Sequence, residues 1–344
     1  MTEKQWAILL DAINGKVVEP MPVGFIIDSP WLPGWAQITT LDYFSSEHKW
    51  LEANFKAIRA FPDVIFLPGF WSEFGMCTEP SAFGSKCSWE TMVLPFAHPV
   101  VKDFDAASSI VKPDPSKDGL LPFVLNRLRH AQGQIEREGH KIKFAVSRGP
   151  LNIASFLTGT TEFLMAVRAN PDEVEQLLDM ITDFIIDWLY LQIDTFASIE
   201  GIFILDDIVG FLGEQDFVRF AKPLLKRIFT CRDVPIRFFH NDARGIVCAP
   251  HLAEIGINLF NFSHEHILPQ MKKLVGDKVA LLGNIPPRDV LAAGTPGDVA
   301  KCVEKMLSSL EDRRRIIASC GGGVPPDVST ENIKAFVEAV RTNR

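Results

Sequence analysis

The feature that most constrains the fold of this sequence is a repeated alternation of short β-like runs with longer helical patterns. The short runs are rich in β-branched and aromatic residues and are apolar on both sides, which is typical of strands covered on both faces of a parallel sheet. A repeated βα unit without a boundary linker predicts an α/β fold, a single (β/α)8 TIM barrel over residues 1–344. The eight predicted strands are 22–28, 63–69, 141–147, 202–207, 235–241, 257–263, 278–284 and 315–321.

Two helical segments between and after these runs carry clear signals. Residues 170–193 begin with Asn170 as the N-cap and Pro171 at the first helical position, which predicts a long helix. Residues 329–340 place apolar side chains at i, i+3, i+4 and i+7 spacing. This last helix is therefore expected to pack against the sheet.

Residues 70–117 break the alternation. Glycine, proline and alternating apolar residues predict a hairpin excursion inserted after the second strand, and such excursions are commonly functional loops or lids. The aromatic residues around it, with those after the first strand, are either core or a wall for a flat ligand, and both interpretations stay open. These aromatic residues are Trp31, Trp35, Phe70, Trp71 and Phe74.

Composition restricts the class of ligand and the compartment. The formal charge is −8 and no long Lys/Arg cluster is present, which argues against a nucleic-acid surface. No apolar run approaches the roughly 18 residues of a membrane span, and residues 1–15 resemble an amphipathic helix, not a secretory signal. A cytoplasmic protein is therefore expected. Its six sparse cysteines are expected to be thiols, and the alternative is a metal-binding pair at Cys77 and Cys87.

Polar and aromatic residues follow most of the predicted strands. Because the carboxyl ends of parallel strands meet at one end of a barrel, these side chains are expected to converge on one mouth. They are Asp28, Trp31, Phe70, Trp71, Glu73, Arg148, Asp206, Asp207, His240, Asn241, Asp242, His264, Glu265, His266, Asn284 and Cys320.

Each candidate has a structural alternative. One of Asp206 and Asp207 could equally cap the following helix. For His240, the alternative is a core histidine that donates to a neighbouring carbonyl. Residues 264–266 ("HEH") suggest a metal cluster, although neighbours on an extended chain point in opposite directions. The glycines at 321–323 would allow close backbone approach to a phosphate, but no P-loop sequence follows them.

The chain resembles the uroporphyrinogen decarboxylase superfamily, which includes corrinoid-dependent methyltransferases on the same barrel. The resemblance covers nearly the whole chain and rests on "PVGFIIDSPWLPGW", "PDVIFLPG", "SRGPLNIASFLTG", "LDDIVGFLG" and "RFFHND", and above all on "LLGNIPP" and "CGGGVPPDVSTENIKAFVEAV". It implies a TIM barrel with its site at the carboxyl ends of the strands.

The resemblance to the decarboxylases themselves is incomplete. Those enzymes hold an anionic tetrapyrrole with arginines of the opening segment, where this chain has Ile27 and Trp31. Asp63 matches the family's catalytic aspartate. Three further positions depart from the family pattern: Phe156, Asp207 and Gly322.

The resemblance to the methyltransferase branch is closer. Its zinc-dependent members carry a His-x-Cys pair after the fifth strand and a cysteine after the eighth. This chain has His240 and Asp242 at the pair, and Cys320 about two residues before the register of the last cysteine. The implied zinc ligands are therefore His240, Asp242 and Cys320, with less thiolate character than in those members.

The resemblance implies a methyltransferase that moves a methyl group between a corrinoid on a partner protein and a small-molecule donor or acceptor, such as a methoxylated aromatic or a folate. Two alternatives remain: a tetrapyrrole decarboxylase that uses Asp63, and a barrel that only binds its ligand. A homodimer is possible. Expected catalytic residues are His240, Asp242, Asp207, Glu73 and Glu265, and expected substrate-binding residues are Asp28, Trp31, Phe70, Trp71, Arg148, Asn241 and Asn284.

Overall fold

The computed structural model describes residues 1–101 and 104–343 and shows a (β/α)8 TIM barrel, as predicted. Its eight parallel strands form one curled sheet in the order β2-β1-β10-β9-β8-β7-β6-β5, and each overlaps a predicted run. The strands are β1 (Val23–Ile26), β2 (Val64–Leu67), β5 (Phe144–Arg148), β6 (Gly201–Leu205), β7 (Ile236–Asn241), β8 (Leu259–Phe262), β9 (Ala280–Ile285) and β10 (Ile316–Cys320).

The predicted hairpin excursion is confirmed. Strands β3 (Cys87–Ser88) and β4 (Phe96–Ala97) pair antiparallel between β2 and β5, outside the barrel sheet. Residues 102 and 103 of the predicted excursion lie outside the described residues. All six cysteines are free, as expected for thiols.

The helices cover the outside of the sheet. The predicted long helix is α9, which starts at Pro171 after the N-cap Asn170, and the predicted last helix buries Ile333 and Phe336. None of the helices in the described part of the chain is both long and apolar enough to cross a membrane. The helices are α1 (Glu3–Ile13), α2 (Leu32–Ala36), α3 (Thr40–Ser45), α4 (Glu47–Ala60), α5 (Thr78–Ala82), α6 (Leu121–Arg137), α7 (Pro150–Thr158), α8 (Thr160–Ala169), α9 (Pro171–Thr195), α10 (Glu214–Asp216), α11 (Lys222–Thr230), α12 (Leu252–Ile255), α13 (Leu268–Val275), α14 (Pro296–Ser308) and α15 (Thr330–Thr342).

The barrel interior is filled with apolar side chains from its amino-terminal end upward. Phe203 and Phe238 stack with ring centroids 4.2 Å apart, and Trp6 of α1 packs edge-on against Phe144 at 5.5 Å. Helix α1 therefore closes the amino-terminal end, and a polar site has room only at the carboxyl ends of the strands.

Side chains satisfy the backbone of the two edge strands, β2 and β5. The amide of Gln192 on α9 accepts from the N–H of Val146 at 3.0 Å and donates to the carbonyl of Val146 at 3.1 Å. At β2, Gln5 donates to the carbonyl of Val64 at 3.1 Å. Because unpaired buried backbone groups are costly, these glutamines allow the sheet to end at both edges inside a packed molecule.

Replacing Gln192 with leucine should lower the free energy of unfolding by about 2 kcal/mol, because the N–H and C=O of Val146 would both lose their partner. Denaturant-induced unfolding measures the change. The control is Gln132→Leu, which removes an amide that donates to Glu136 near the surface and should change stability by less than about 0.5 kcal/mol. Equal stability of the two variants would contradict the role of Gln192.

Candidate functional site

His240 is held in one orientation at the carboxyl end of β7. It lies opposite Asn261 of β8, and its Nδ1 is 2.8 Å from Asn261 Oδ1. The Asn261 amide nitrogen is already used, since it donates to the carbonyl of Leu282 at 2.7 Å. Asn261 Oδ1 must therefore accept, so Nδ1 carries the hydrogen and Nε2 is the atom of His240 available to the mouth.

Two carboxylates face that nitrogen. His240 Nε2 lies 3.6 Å from Asp207 Oδ1 and 3.9 Å from Asp242 Oδ2, and the backbone N–H of Asp242 donates to Asp207 at 3.1 Å. Burial disfavours the charged imidazolium, but Asp207 and Asp242 outweigh it and raise the pKa of His240. Burial also raises the pKa of Asp207, although His240 opposes the shift. The three side chains therefore favour a positive charge between them, either a proton or a metal ion.

The donor set fits a metal ion. One ligand atom from each of Asp207, His240 and Asp242 lies within 4.8 Å of the others, and no other such trio occurs among the residues that the structure describes. Metal–ligand bonds of about 2.1 Å put two ligands of a tetrahedral ion roughly 3.4 Å apart, close to the observed separations. Imidazole and two carboxylates suit zinc or another divalent first-row metal, and they are harder ligands than thiolates.

A glycine allows the chain after β10 to close over this group. Gly322 has φ +118°, and a Cβ there would lie 2.6 Å from Asp242 Oδ2. A side chain at position 322 would therefore displace Asp242 as well as strain the backbone.

Cys320, a predicted metal ligand, lies outside the trio. Its buried thiol donates to the carbonyl of Gly322 at 3.4 Å, and burial raises its pKa to about 12. The structure brings together His240 and Asp242 as predicted, and it puts Asp207 in the third position.

Arg148 is fixed by a glutamate of the excursion. Glu79 on α5 is buried and accepts from the backbone N–H of Arg148 at 3.0 Å and from its guanidinium at 3.1 Å. Burial disfavours the charge of Arg148, but Glu79 and Glu73 together raise its pKa. The ion pair also satisfies the edge of β5 at the mouth.

Two further carboxylates lie at this end: Glu73, after β2, is buried, and Asp28, after β1, is half-buried. Glu73 is 1% exposed, and one of its oxygens accepts from the N–H of Gly75. Its other oxygen, Oε1, and Oδ1 of Asp28 are buried, and neither has a hydrogen-bond partner in the described part of the chain. Burial, with the nearby charge of Glu73, raises the pKa of Asp28 to about 8; burial also raises the pKa of Glu73, although Arg148 opposes it.

The predicted aromatic residues divide between the barrel interior and the outer core. Trp71 packs against Phe203 inside the barrel, with ring centroids 6.1 Å apart, below the mouth. Trp31 lies in the outer core and donates to the carbonyl of Val328, and Phe70 packs edge-on against Phe55. The structure thus brings Trp71, but not Trp31 or Phe70, towards the site.

Three predicted polar residues shape loops around the mouth. Asn241 accepts from the N–H of Ala243 at 3.1 Å, and Asn284 donates to the carbonyl of Ser263 at 3.2 Å. Glu265 lies at the exposed rim, where it pairs with Arg244 at 3.0 Å. Asn241 is thus bonded within its own loop, whereas Asn284 and Glu265 connect neighbouring segments of the mouth.

The structure also settles the Asp206–Asp207 alternative. Asp206 is fully buried and accepts from the N–H groups of Leu151 and Asn152 at 2.9 and 3.1 Å. It therefore caps α7, a helix earlier in the chain, not the following one, and Asp207 alone serves the mouth.

Sequence reasoning missed Asn261 and Glu79. Asn261 had a readable signal, a single amide inside an apolar strand, since a buried amide needs specific partners. Glu79 had none, because only the folded excursion brings it to Arg148.

Asp63 lies far from this site. It precedes β2 at the amino-terminal end of the barrel, and its carboxylate pairs with Arg341 at 2.6 Å. The mouth is at the opposite end of the strands.

Comparison with known sequences gives a family match over nearly the whole chain. The family described as "Uroporphyrinogen decarboxylase (URO-D)" matches residues 7–343. Among curated relatives, the uroporphyrinogen decarboxylase of Pseudoalteromonas translucida is 26% identical over 276 residues, covering 76% of this chain and 75% of its own. That of Serratia proteamaculans is 27% identical over 304 residues, covering 84% of this chain and 81% of its own.

Solved structures share the fold at lower identity. A methyltransferase from Methanosarcina mazei superposes with a TM-score of 0.80 at 19% identity, over 98% of each chain. A B12-independent methionine synthase from Shewanella has a TM-score of 0.58 at 11% identity, covering 94% of this chain and 96% of its own. At these identities the likeness concerns the fold.

The trio predicts one tight divalent metal site per chain. Asp207→Asn should weaken zinc or cobalt(II) binding at least tenfold, because it removes a charged ligand. Calorimetric titration of the metal-free protein measures the affinity. Asp277→Asn, a change outside the trio, is the control; equal affinities of the two variants would contradict the site.

Metal affinity should depend on pH through His240, because the metal must displace the proton from Nε2. With its pKa raised above the ordinary 6.5, affinity should fall about tenfold per pH unit below that raised pKa and level off above it. Cobalt(II) titrations from pH 5.5 to 8.5 measure this. A plateau that already begins below pH 6.5 would contradict the raised pKa.

Proposed function

The chain belongs to the uroporphyrinogen decarboxylase family, and from that premise we propose that it is a methyltransferase acting between a corrinoid, carried by a partner protein, and a small-molecule donor or acceptor. The observation that carries the proposal is the trio of Asp207, His240 and Asp242 at the mouth. At 19% identity, the Methanosarcina methyltransferase is evidence for the fold alone. The proposal therefore rests on the geometry of the trio and not on that likeness.

The residues of the trio would hold the metal. When bound, a divalent ion there supplies Lewis-acid polarisation of the heteroatom that gains or loses the methyl group. Asn261 fixes the His240 ring so that Nε2 points at the mouth. The aromatic interior beneath, with Trp71 over Phe203, excludes water from below.

The transfer moves the methyl group without its bonding electrons. When a donor reacts, the methyl carbon exchanges its bond to the heteroatom for a bond to the corrinoid cobalt. The heteroatom keeps the electron pair of the broken bond and takes up a proton from solvent, and the new bond uses an electron pair of the reduced corrinoid. The reverse direction methylates an acceptor and releases a proton.

The residues described at the mouth give a polycarboxylate substrate poor electrostatic complementarity. Five carboxylates, those of Asp28, Glu73, Glu79, Asp207 and Asp242, lie there, and Arg148 is already paired with Glu79. The positions where decarboxylases carry clamping arginines hold Ile27 and Trp31, both at most 2% exposed. A tetrapyrrole with several ionised carboxylates would therefore not find the arginine clamp of the decarboxylases at these two positions.

The curated relatives make uroporphyrinogen decarboxylase the second candidate function. It requires a catalytic role for an acidic residue of the mouth, since Asp63 lies at the other end of the barrel.

The test is anaerobic incubation of the purified, zinc-loaded protein with methylcob(III)alamin, with and without tetrahydrofolate, a thiol or a phenol. The visible spectrum should change to that of cob(I)alamin only with enzyme and one acceptor. His240→Ala should abolish the reaction, and Asn261→Leu should slow it about 10- to 100-fold by releasing the imidazole. Asp277→Asn is the control with unchanged rate.

A parallel assay with uroporphyrinogen separates the alternatives. Loss of substrate carboxylates without any corrinoid reaction would establish the decarboxylase. Turnover in neither assay, with saturable corrinoid or tetrapyrrole binding, would indicate a barrel that only binds its ligand. Both outcomes contradict the proposal.

A further inference from the structure

The mouth contains a second group of acidic side chains, across the barrel from the metal-binding trio. In the sheet order, β1 lies four strands from β7, so Asp28 and His240 follow strands on opposite sides of the eight-stranded barrel. Glu73, which follows β2, lies beside Asp28, and we call these two residues the carboxylate pair. We infer that the carboxylate pair binds a cationic group of the substrate that carries N–H donors, a protonated amine; this rests on the proposed function, in which the substrate occupies this mouth.

The first argument is the unsatisfied acceptors. Among the residues that the structure describes, neither Oδ1 of Asp28 nor Oε1 of Glu73 has a hydrogen-bond partner; both atoms are buried, and the whole Glu73 residue is 1% exposed. A buried carboxylate oxygen without a donor is among the costliest groups in a protein. Such atoms occur in native folds when a ligand, a bound proton or a water molecule supplies the missing hydrogen bond.

The second argument is that neither neighbouring arginine forms an ion pair with the carboxylate pair, although Nη1 of Arg127 also has no hydrogen-bond partner among the described residues. Arg148 is held by both oxygens of Glu79. Arg127 donates to the carbonyl of Phe44 and stacks over Phe74, with its guanidinium carbon 4.5 Å from the ring centroid. Neither arginine comes within the 4.0 Å of an ion pair with Asp28 or Glu73. The arginines therefore act on the carboxylate pair only through space, and they leave the two acceptor oxygens available to a donor from outside.

The third argument concerns the kind of cation. A metal ion prefers at least three protein ligands, and the described residues offer such a trio only at Asp207, His240 and Asp242. Two orphaned acceptors from separate residues match an ammonium group that has two or more N–H donors. The raised pKa values of Asp28 and Glu73 fit the same reading, because a proton takes the place of the ligand in the free protein.

The carboxylate pair and the metal-binding trio together restrict the chemistry of the substrate. Its cationic amine would lie on the carboxylate pair, and its methylated or methyl-accepting heteroatom would face the trio. The carboxylate pair would then select amine-bearing substrates over neutral and anionic ones.

The test is a ligand-observed NMR titration of the full-length, metal-free protein with three probes. Dimethylammonium carries both charge and two N–H donors, tetramethylammonium carries only charge, and 2-propanol is neutral. Dimethylammonium should bind saturably, tetramethylammonium at least fivefold more weakly, and 2-propanol not detectably. Equal affinities for all three would overturn the inference.

Two variants locate the binding. Asp28→Asn and Glu73→Gln keep the shape of each side chain but remove its charge, and each should weaken dimethylammonium binding at least tenfold. Glu90→Gln, an exposed carboxylate of the same excursion, is the control with unchanged affinity. Each variant puts a neutral amide in place of an acid whose charged form is disfavoured by burial, so its melting temperature should equal or exceed that of the wild type, which shows that it folds. Wild-type affinity in both variants would overturn the inference.

The binding experiment uses no corrinoid, so its outcome is independent of whether the proposed methyl transfer occurs. Amine binding with no methyl transfer would refute only the methyltransferase. Methyl transfer with no amine binding would refute only the role of the carboxylate pair.

Discussion

The buried ion pair between Glu79 and Arg148 is the interaction on which the architecture of the mouth depends. Glu79 accepts from both the backbone and the side chain of Arg148, so one carboxylate completes the edge of β5 and anchors the excursion. A buried charge-assisted pair of this kind is costly to break from one side, because the remaining charge would stay buried alone. The pair therefore fixes the excursion over the mouth, including the segment that carries Glu73.

The chemistry of the opposite wall follows from strand register. His240 and Asn261 are direct neighbours on parallel strands, so the orientation of the imidazole is set by sheet geometry and not by a mobile loop. Asp207 and Asp242 closely follow β6 and β7, and the N–H of Asp242 donates to Asp207. One nitrogen and two carboxylates are therefore held close together by adjacent strands, an arrangement suited to holding an ion.

The sequence predicts the barrel well because eight apolar runs alternate with helical patterns. Such hydrophobic periodicity can be recognised in the sequence without knowledge of tertiary contacts. It also places His240, Asp242, Glu73 and Arg148 at the mouth, since parallel strands share one direction. It does not separate Asp206 from Asp207, which differ only in the side to which they point. Trp31 followed a strand but lies in the outer core, where its indole donates to Val328. The Asn261 and Glu79 contacts join residues 21 and 69 positions apart, which no local pattern encodes.

The most direct test of the central claim, that the mouth is a metal-binding methyl-transfer site, is anomalous diffraction from crystals grown with zinc. Data collected on both sides of the zinc absorption edge locate the ion without reference to activity. The account predicts one anomalous peak enclosed by His240 Nε2 and the carboxylates of Asp207 and Asp242. A mouth without a peak at full zinc saturation, or a peak bound elsewhere on the chain, would contradict it.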